Sequence, residues 1–512
     1  MSIGKRTFRS KEKAKRKINL KIEAEDFGPI TDGKITLKPL TLFIGPNNSG
    51  KSYAAMLIHS IFESYTPTTL PKGLPFFMRR GFVGERIDDI HTFLKEFPEL
   101  KRQINNLKEG EDLEISKQLI EKVVNNIFEQ IYEKSLSDEL VRSFACPLND
   151  LIRIGKSSFA VKINFNSYSA HLRYQEDKLK IREYPQLDIK IRIKAIELPF
   201  PRVGEIEKKG NEILIKIGIG GVSSEYKEDK RFRVIRLIQV IFQICANKIL
   251  EKIKIPCYYL PAARSGILQG HKALAASIVK KVPYIGIERL EIPKFSGVVS
   301  DFISSVITLP EEKGHFYPLA QSFEKELIKG EIVVRTLDEY LYPEIKYIFK
   351  NTEIPLHRAS STVSELAPLF LYLKYIIEPG SILIIEEPEA HLHPENQRIL
   401  AKFLVKLVRE GVNITITTHS EYLLEQLSSF ILLSKIKPNK RVKRYKYNEE
   451  DFLKPDEVAA HVFHYDIKSG GHKISKVEIT EEDGISQEEF VRIHEALYEE
   501  TIKLRKDLST ET

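Results

Sequence analysis

The segment GPNNSGKS, residues 45–52, constrains the fold more than any other feature of this chain. A short apolar strand pattern, Leu40–Ile44, precedes it, and the helical pattern YAAMLIHSIF follows it. The segment matches G-x-x-x-x-G-K-[ST] at every constrained position, in the strand-loop-helix context that this loop requires. Such a loop points backbone N–H groups and a lysine at phosphate oxygens. We therefore predict ATP binding by Gly45, Pro46, Asn47, Asn48, Ser49, Gly50, Lys51 and Ser52.

A second segment, SILIIEEPEAHLHP (residues 381–394), places two glutamates directly after an apolar strand pattern, Ile382–Ile385. We expect this strand to lie next to the strand of the phosphate-binding loop, so that Glu386 approaches Mg²⁺ together with Ser52. Glu387 is predicted to accept a proton from the water that attacks the γ-phosphate. Lys51 is predicted to contact the β- and γ-phosphate oxygens. The two carboxylates therefore have different predicted tasks.

Three histidines near this segment allow more than one interpretation. His391-x-His393 could be a metal pair, but no ligand cluster accompanies it, and a turn that faces another subunit is the favoured hypothesis. His419 ends the strand pattern ITITTHS. An imidazole at that strand end can contact a γ-phosphate or the attacking water, so His419 is predicted to be catalytic.

Strand and helix patterns alternate through the last third of the chain, which predicts an α/β class. We expect a P-loop NTPase, with a mixed or parallel sheet flanked by helices and an inserted α+β region. The predicted boundaries are a basic tail at 1–17, the head at 18–60 and 255–512, and the insertion at 61–254. Within the insertion, the patterns indicate one amphipathic helical stretch over 112–145 and a β-meander over 159–221.

The net charge of +8 is concentrated at one end of the chain. Residues 1–17 contain eight Lys and Arg against one Glu, a net +7, which predicts a solvated, disordered tail that could also contact phosphates. A second basic stretch, Lys435–Tyr447, interleaves Tyr445 and Tyr447 with seven cations. Contact with nucleic acid and an exposed edge hairpin explain it equally well.

Composition excludes several classes of protein. Hydrophobic residues make up 42% and charged residues 29% of the chain, with no apolar run near 18 residues and no signal-peptide pattern. We therefore expect a soluble cytoplasmic protein without a membrane partner. The three cysteines form no C-x-x-C pair, so neither a disulfide framework nor a zinc knuckle is indicated.

GPNNSGKS, IIEEPEAHLHP and TTHS, in this order, resemble the ABC-type ATPase heads of the OLD, RecF and SMC-like group, and are most similar to OLD-like AAA ATPases. The resemblance covers residues 18–60 and 255–512. It implies ATP and Mg²⁺ as cofactors and a homodimer or higher homo-oligomer. The family pattern has Asp more often than Glu where Glu386 stands.

By the same resemblance, ASSTVSELAPLFLYLKY (residues 359–375) corresponds to the segment that contacts ATP bound on the partner subunit. Ser360 and Ser361 would face that phosphate. Thr362 and Glu365 fit a capping-box pattern, although the family usually has Gly where Thr362 stands. The resemblance also suggests a phosphate or interface role for Arg264, within the strand end PAAR.

Features of related proteins that this sequence lacks narrow the prediction. It shows no long coiled coil or zinc hook, and no D-x-D pair follows His419, so the sequence does not indicate a nuclease. We predict an ATPase that acts as an ATP-gated dimer in DNA-linked processes, in repair or in defence against mobile elements. Nucleic acid and a separately encoded nuclease or effector are possible partners. The alternative is a nucleotide-switched scaffold that binds a protein effector and no DNA.

Overall fold

A computed structural model of the 512-residue chain describes residues 18, 20–64, 98–127, 132–165, 168–181, 187–196, 203–218, 255–270, 295–336 and 343–510, and parts of 237–248. The basic tail predicted at residues 1–17 lies outside the described residues.

Strands account for most of the framework. They are β1 (Leu20–Phe27), β2 (Ile30–Leu37), β3 (Leu40–Ile44), β4 (Asp112–Glu114), β5 (Ser158–Phe165), β6 (Tyr168–Gln175), β7 (Lys178–Ile181), β8 (Lys190–Ile196), β9 (Val203–Lys209), β10 (Glu212–Gly218), β11 (Cys257–Leu260), β12 (Glu331–Thr336), β13 (Pro343–Phe349), β14 (Thr352–Pro355), β15 (Ile382–Glu386), β16 (Asn413–Thr418), β17 (Val458–Asp466), β18 (Gly471–Lys476), β19 (Ile479–Thr480) and β20 (Gly484–Ile485).

The helices pack on both faces of the main sheet or project from it. They are α1 (Lys51–Glu63), α2 (Pro98–Asn106), α3 (Lys117–Ile127), α4 (Glu133–Phe144), α5 (Gly297–Ile307), α6 (Tyr317–Leu327), α7 (Ser361–Tyr375), α8 (Pro394–Arg409), α9 (Glu421–Leu432), α10 (Pro438–Tyr445) and α11 (Glu488–Thr510). None of the described helices is long and apolar enough to cross a membrane.

The main sheet has eleven strands in the order β11-β15-β16-β3-β17-β18-β2-β1-β5-β6-β7. Its first five strands are parallel, and most of the remaining pairs are antiparallel. The predicted mixed α/β sheet is therefore confirmed. The expectation that the Glu386 strand adjoins the strand of the phosphate-binding loop is wrong, because β16 lies between β15 and β3. Parallel pairing still brings the carboxyl ends of all three strands to one edge.

Two hydrophobic cores cover the two faces of this sheet. In β3, Phe43 contributes to one core, whereas Leu42 and Ile44 contribute to the other. In β15, Ile384 and Ile385 divide in the same way. Side chains alternate across a strand, so a strand buried on both faces appears in the sequence as a continuous apolar run. This burial explains why β3 and β15 were recognisable from the sequence.

The predicted β-meander divides between two sheets. Strands β5, β6 and β7 extend the main sheet through the pairing of β5 with β1, whereas β8, β9 and β10 form a second sheet with β4. Burial alternates residue by residue in β5 and β8. Alternation of this kind predicts strands but does not specify which sheet they join.

Two local predictions fail. The stretch 112–145, interpreted as one helical region, contains strand β4 and two separate helices, α3 and α4. The stretch Lys435–Tyr447 is not an edge hairpin, because residues 438–445 form the helix α10. Pro438 occupies the first helical turn, where its missing N–H costs nothing. Arg441 is buried in this helix and donates to the carbonyls of Leu433, Ser434 and Glu449.

Candidate active site

The phosphate-binding loop connects β3 to α1 in a conformation that its glycines permit. Gly45 and Gly50 have φ values of 141° and 99°, and Asn48 has a φ of 61°. A Cβ atom at Gly45 would lie 2.3 Å from the carbonyl oxygen of Phe463. Gly50 is the N-cap of α1 and supplies no side chain to cap the helix. The N-terminus of α1 therefore presents backbone N–H groups and the positive end of the helix dipole to the loop.

The Lys51 ammonium group is folded back onto this loop. It donates to the carbonyl oxygens of Gly45 at 2.9 Å and Pro46 at 2.6 Å, and its side chain is buried. Ser49 Oγ lies 3.5 Å from the same nitrogen. These acceptors hold the cation at the centre of the loop, within reach of any anion that the loop encloses.

The two neighbouring glutamates diverge because the backbone turns sharply between them. Glu387 has a φ of 43°, and its N–H donates to both the carbonyl and the hydroxyl oxygen of Thr417. Its side chain remains 43% exposed, whereas Glu386 is buried. Glu387 is therefore accessible to solvent in the cavity described below, whereas Glu386 lies in the interior.

One oxygen of Glu386 is satisfied and the other is not. Oε2 accepts a hydrogen bond from the N–H of Ala262 at 3.0 Å. Oε1 is buried and makes no hydrogen bond of normal geometry among the described residues. The Tyr259 hydroxyl interacts with this carboxylate, and burial together with that interaction raises the tyrosine pKa. A buried carboxylate oxygen without a well-placed donor is costly, and a hard cation such as Mg²⁺ would satisfy it. Among the described residues, no group of three or more His, Cys, Asp or Glu side chains has the arrangement of a metal site.

His419 follows β16 and approaches Glu387, with 3.8 Å between its Nε2 and Glu387 Oε1. Burial lowers the pKa of His419, the nearby Lys51 ammonium lowers it further, and Glu387 partly opposes both effects. The imidazole is therefore more readily neutral than a free histidine. A neutral ring can donate one hydrogen bond and accept another.

Glu389 holds the backbone at His419, a contact that the sequence did not reveal. Its Oε1 accepts from the Thr418 hydroxyl at 2.6 Å and from the His419 N–H at 2.9 Å, and burial raises the pKa of this carboxyl group. Glu389 and Thr418 are 29 positions apart. Only the pairing of β15 with β16, which aligns Glu386 with Thr417, brings them together.

A cavity of about 1010 Å³ joins most of the predicted residues. It is lined by Glu387, His419 and part of the phosphate-binding loop, namely Asn47, Asn48, Ser49, Gly50, Lys51 and Ser52. Thr417 also lines it, a residue not singled out from the sequence. Gly45, Pro46 and Glu386 are not part of the lining. A cavity of this size lies at the upper end of the range for small-molecule and cofactor sites.

Other parts of the cavity lining come from segments of the chain that carry no recognisable motif. They include Ile154, which is 97% exposed, and Tyr465, which is 58% exposed. Ile154 lies in the segment between α4 and β5, and Tyr465 lies near the end of β17. No sequence signal marks either residue. The pairing of β17 with β3 brings Tyr465 towards the loop, and a bridge between Phe27 and Ile152 holds the segment that contains Ile154.

Ser360 and Ser361 are exposed at the start of α7, away from the cavity lining. Ser360 is the N-cap and accepts from the Val363 N–H, so the capping box predicted for Thr362 and Glu365 is wrong. The Thr362 hydroxyl instead donates to the carbonyl of His391 at 3.0 Å. This bond ties the start of α7 to the exposed His-x-His turn.

The His-x-His turn does not bring its two histidines to a common ligand position. His391 has a φ of 60°, and its carbonyl is held by Thr362. His393 is the N-cap of α8, and its Nδ1 accepts from the Glu395 N–H at 3.3 Å. The role of His393 in the described structure is therefore to begin a helix.

One comparison with known protein families agrees with this arrangement. A family described as "AAA ATPase domain" matches residues 17–424, roughly four fifths of the chain. No curated protein matches the sequence. Among solved structures, the SMC head domain from Thermotoga maritima is 11% identical, with a TM-score of 0.33 over 91% of this chain and 100% of that chain. A RecF structure titled as the recombination mediator protein of the RecFOR pathway is 11% identical, with a TM-score of 0.34 over 91% of this chain and 100% of that chain. Scores this low support no conclusion about this chain.

Proposed function

Because this chain belongs to the AAA ATPase domain family and is an ATPase, we propose that it works as an ATP-gated dimer of the OLD-like group in DNA-linked processes. One observation carries the proposal: a single cavity joins the phosphate-binding loop to a half-exposed carboxylate and an imidazole. This combination can bind a nucleoside triphosphate and activate a water molecule beside its γ-phosphate.

Each residue of the cavity has a distinct proposed task. The loop N–H groups and Lys51 bind the phosphates, and Lys51 exchanges the carbonyls of Gly45 and Pro46 for phosphate oxygens. Glu387 accepts the proton of the attacking water, and His419 orients that water or the γ-phosphate. Ser52 and Glu386 would hold Mg²⁺, which neutralises charge on the phosphates during transfer. The buried Oε1 of Glu386, which makes no hydrogen bond of normal geometry, supports this assignment.

We propose that Ile154 and Tyr465, which also line the cavity, recognise the base. The aromatic ring of Tyr465 and the apolar side chain of Ile154 border the same cavity as the loop. Both are too exposed to contribute much to the core. A planar base placed between them would cover apolar surface that water otherwise contacts. We assign adenine to this position.

The position of Ser360 and Ser361 supports the proposed dimer. These residues form the exposed N-terminus of α7, a 15-residue helix, yet they do not line the cavity of their own subunit. A helix N-terminus with hydroxyl groups suits a phosphate. We propose that this phosphate is the γ-phosphate of ATP bound to a second copy, and that ATP binding closes the dimer and hydrolysis opens it.

Support for a DNA-linked role comes from α10. The buried Arg441 anchors this helix through three carbonyl groups. Five other cations of the same stretch are exposed and make no ion pair with a described residue: Lys437, Lys440, Lys443, Arg444 and Lys446. Tyr445 is also exposed, with the Arg444 guanidinium 5.6 Å from its ring centroid, whereas Tyr447 is engaged with Gln426 and Phe430. A row of exposed cations on an anchored helix suits contact with a phosphate backbone.

Replacing Lys437, Lys440, Lys443 and Arg444 by Gln is expected to weaken binding of duplex DNA and to flatten its salt dependence. Each lost phosphate contact lowers the slope of log K against log salt by about 0.9. Fluorescence anisotropy with a labelled duplex between 50 and 200 mM salt, a range where such contacts matter, measures both quantities. The matched control replaces Lys178, Lys180, Lys190 and Lys194, which are equally exposed, by Gln. Absence of DNA binding by the unmodified chain at low salt would favour the nucleotide-switched scaffold instead.

A further inference from the structure

The guanidinium of Arg264 is bound by groups of its own subunit, so its role differs from the phosphate contact that its motif suggests. Its side chain is 1% exposed. Nη1 donates to the carbonyls of Pro261 and Glu386, at 3.2 and 2.6 Å, and Nη2 donates to the carbonyl of Glu387 at 3.3 Å. Nε donates to the carbonyl of Glu365 at 3.2 Å.

The guanidinium also forms an ion pair with a carboxylate. Nη2 lies 3.3 Å from Glu365 Oε1, and both side chains are buried. Four of the five guanidinium N–H groups thus donate to carbonyl oxygens of the same chain. Because the buried guanidinium is surrounded by these partners, we infer that Arg264 acts within its own subunit.

Glu365 completes the link from the other side. Its Oε1 accepts from the N–H of Arg264 at 3.2 Å, and its Oε2 accepts from the N–H of Ser265 at 3.1 Å. These two N–H groups begin the helical segment 264–270, where a carboxylate also meets the positive end of the helix dipole. Glu365 belongs to α7 and lies one turn below Ser361.

This pair therefore connects the exposed start of α7 to the backbone of both carboxylate residues. A displacement of α7 moves Glu365, Glu365 holds the guanidinium, and the guanidinium holds the carbonyls of Glu386 and Glu387. Two further observations make the path rigid. Both side chains are excluded from water, and the planar guanidinium binds its acceptors in a fixed geometry.

We propose that Arg264 and Glu365 are positioning residues. When a second subunit contacts α7, they transmit the resulting shift of this helix to the catalytic carboxylate. This inference rests on the proposed dimer. When the partner's phosphate seats on Ser360 and Ser361, the pair carries the shift of α7 to the peptide groups that orient Glu386 and Glu387. The ATP site is thereby set for hydrolysis only when both subunits are in contact.

The test replaces Arg264 by Lys, which keeps the charge but cannot reach all of these acceptors at once. ATP affinity is expected to stay within about twofold, whereas kcat falls about tenfold or more, since small displacements of a catalytic group cost at least that much. The specific activity of the unmodified chain should rise with protein concentration as dimers form. In Arg264→Lys and Glu365→Gln this rise should be lost, although ATP-dependent dimers still appear in light scattering.

Arg409→Lys is the matched control, because the Arg409 guanidinium is also largely buried, binds Glu457 and lies over the Phe452 ring, and Arg409 belongs to neither the proposed catalytic site nor the proposed DNA-binding helix. It should lower the melting temperature as much as Arg264→Lys does and leave kcat unchanged. Equal effects of the two variants on kcat, or loss of ATP binding in Arg264→Lys, would overturn the positioning role. So would an unchanged concentration dependence in Arg264→Lys. A concentration-independent unmodified chain would overturn the dimer and the inference together.

Discussion

Glu387→Gln is expected to bind ATP with nearly unchanged affinity and to hydrolyse it at least about a hundredfold more slowly, the usual contribution of a general base. The amide keeps the shape of the side chain and leaves the backbone bonds to Thr417 intact, but it cannot accept the proton of the attacking water. Phosphate release measures turnover, and a fluorescent ATP analogue measures affinity. Glu395→Gln, an exposed glutamate in the first turn of α8, is the control. Unimpaired turnover in Glu387→Gln would remove the assignment of the base.

The same variant should accumulate as a dimer when ATP and Mg²⁺ are present, because the bound triphosphate is no longer consumed. Light scattering with and without ATP distinguishes the two states. Adding Ser361→Arg, which places a bulky side chain at the exposed start of α7, should return the protein to a monomer while ATP binding persists. A Glu387→Gln protein that stays monomeric with ATP would contradict the proposed contact between subunits.

Lys374→Met is expected to reduce the free energy of unfolding by about 3–5 kcal/mol at pH 8, since it leaves a buried carboxylate without its cation. Lys374 and Glu324 are both completely buried, with 2.7 Å between Nζ and Oε2. Lys374 also donates to the carbonyl of Ile332 at 2.7 Å. The pair joins α6 to α7, the helix that we propose faces the partner subunit. Urea unfolding measures the loss.

Two controls separate burial from charge in this prediction. Glu324→Gln combined with Lys374→Met should recover most of the loss, because a neutral amide can still accept from the Ile332 N–H. Lys402→Met, which removes a partly exposed pair with Glu326, should cost less than about 1 kcal/mol. A double variant as unstable as Lys374→Met alone would show that packing, not charge, determines the effect.

The cost of Lys374→Met should also depend on pH. Burial raises the pKa of Glu324 from 4.5 to about 7, against the opposing effect of Lys374. A carboxyl group whose folded pKa is raised stabilises the fold at low pH, and this contribution is lost as pH rises from about 4.5 to about 7. Without Lys374 the carboxylate is protonated still more readily. The destabilisation should therefore be smaller at pH 5.5 than at pH 8, and an equal loss at both pH values would contradict this explanation.

The phosphate-binding loop, Glu387 and His419 could be singled out from the sequence because each directly follows a strand pattern. The strands β3 and β15 are almost continuously apolar, as strands buried on both faces usually are, whereas β16 alternates Ile with Thr although all of its residues are buried. Parallel strands place their carboxyl ends at one edge of the sheet, and one cavity there is lined by the loop, Glu387 and His419. The order of the strands was not visible, and β16 was not expected between β3 and β15.

What the sequence determined by itself is therefore local: which segments form the loop, the buried strands and the residues at their ends. The tertiary structure alone decided the contacts between distant segments. It paired Glu365 with Arg264 rather than with a capping box, directed four N–H groups of the Arg264 guanidinium to carbonyl oxygens of the chain, and placed Glu389 against the backbone of His419. Backbone and side-chain groups in the interior must find hydrogen-bond partners wherever packing brings them. Strand order and register determine those partners. The bonded residues lie more than a hundred positions apart in the chain here, so no repeating sequence pattern marks them.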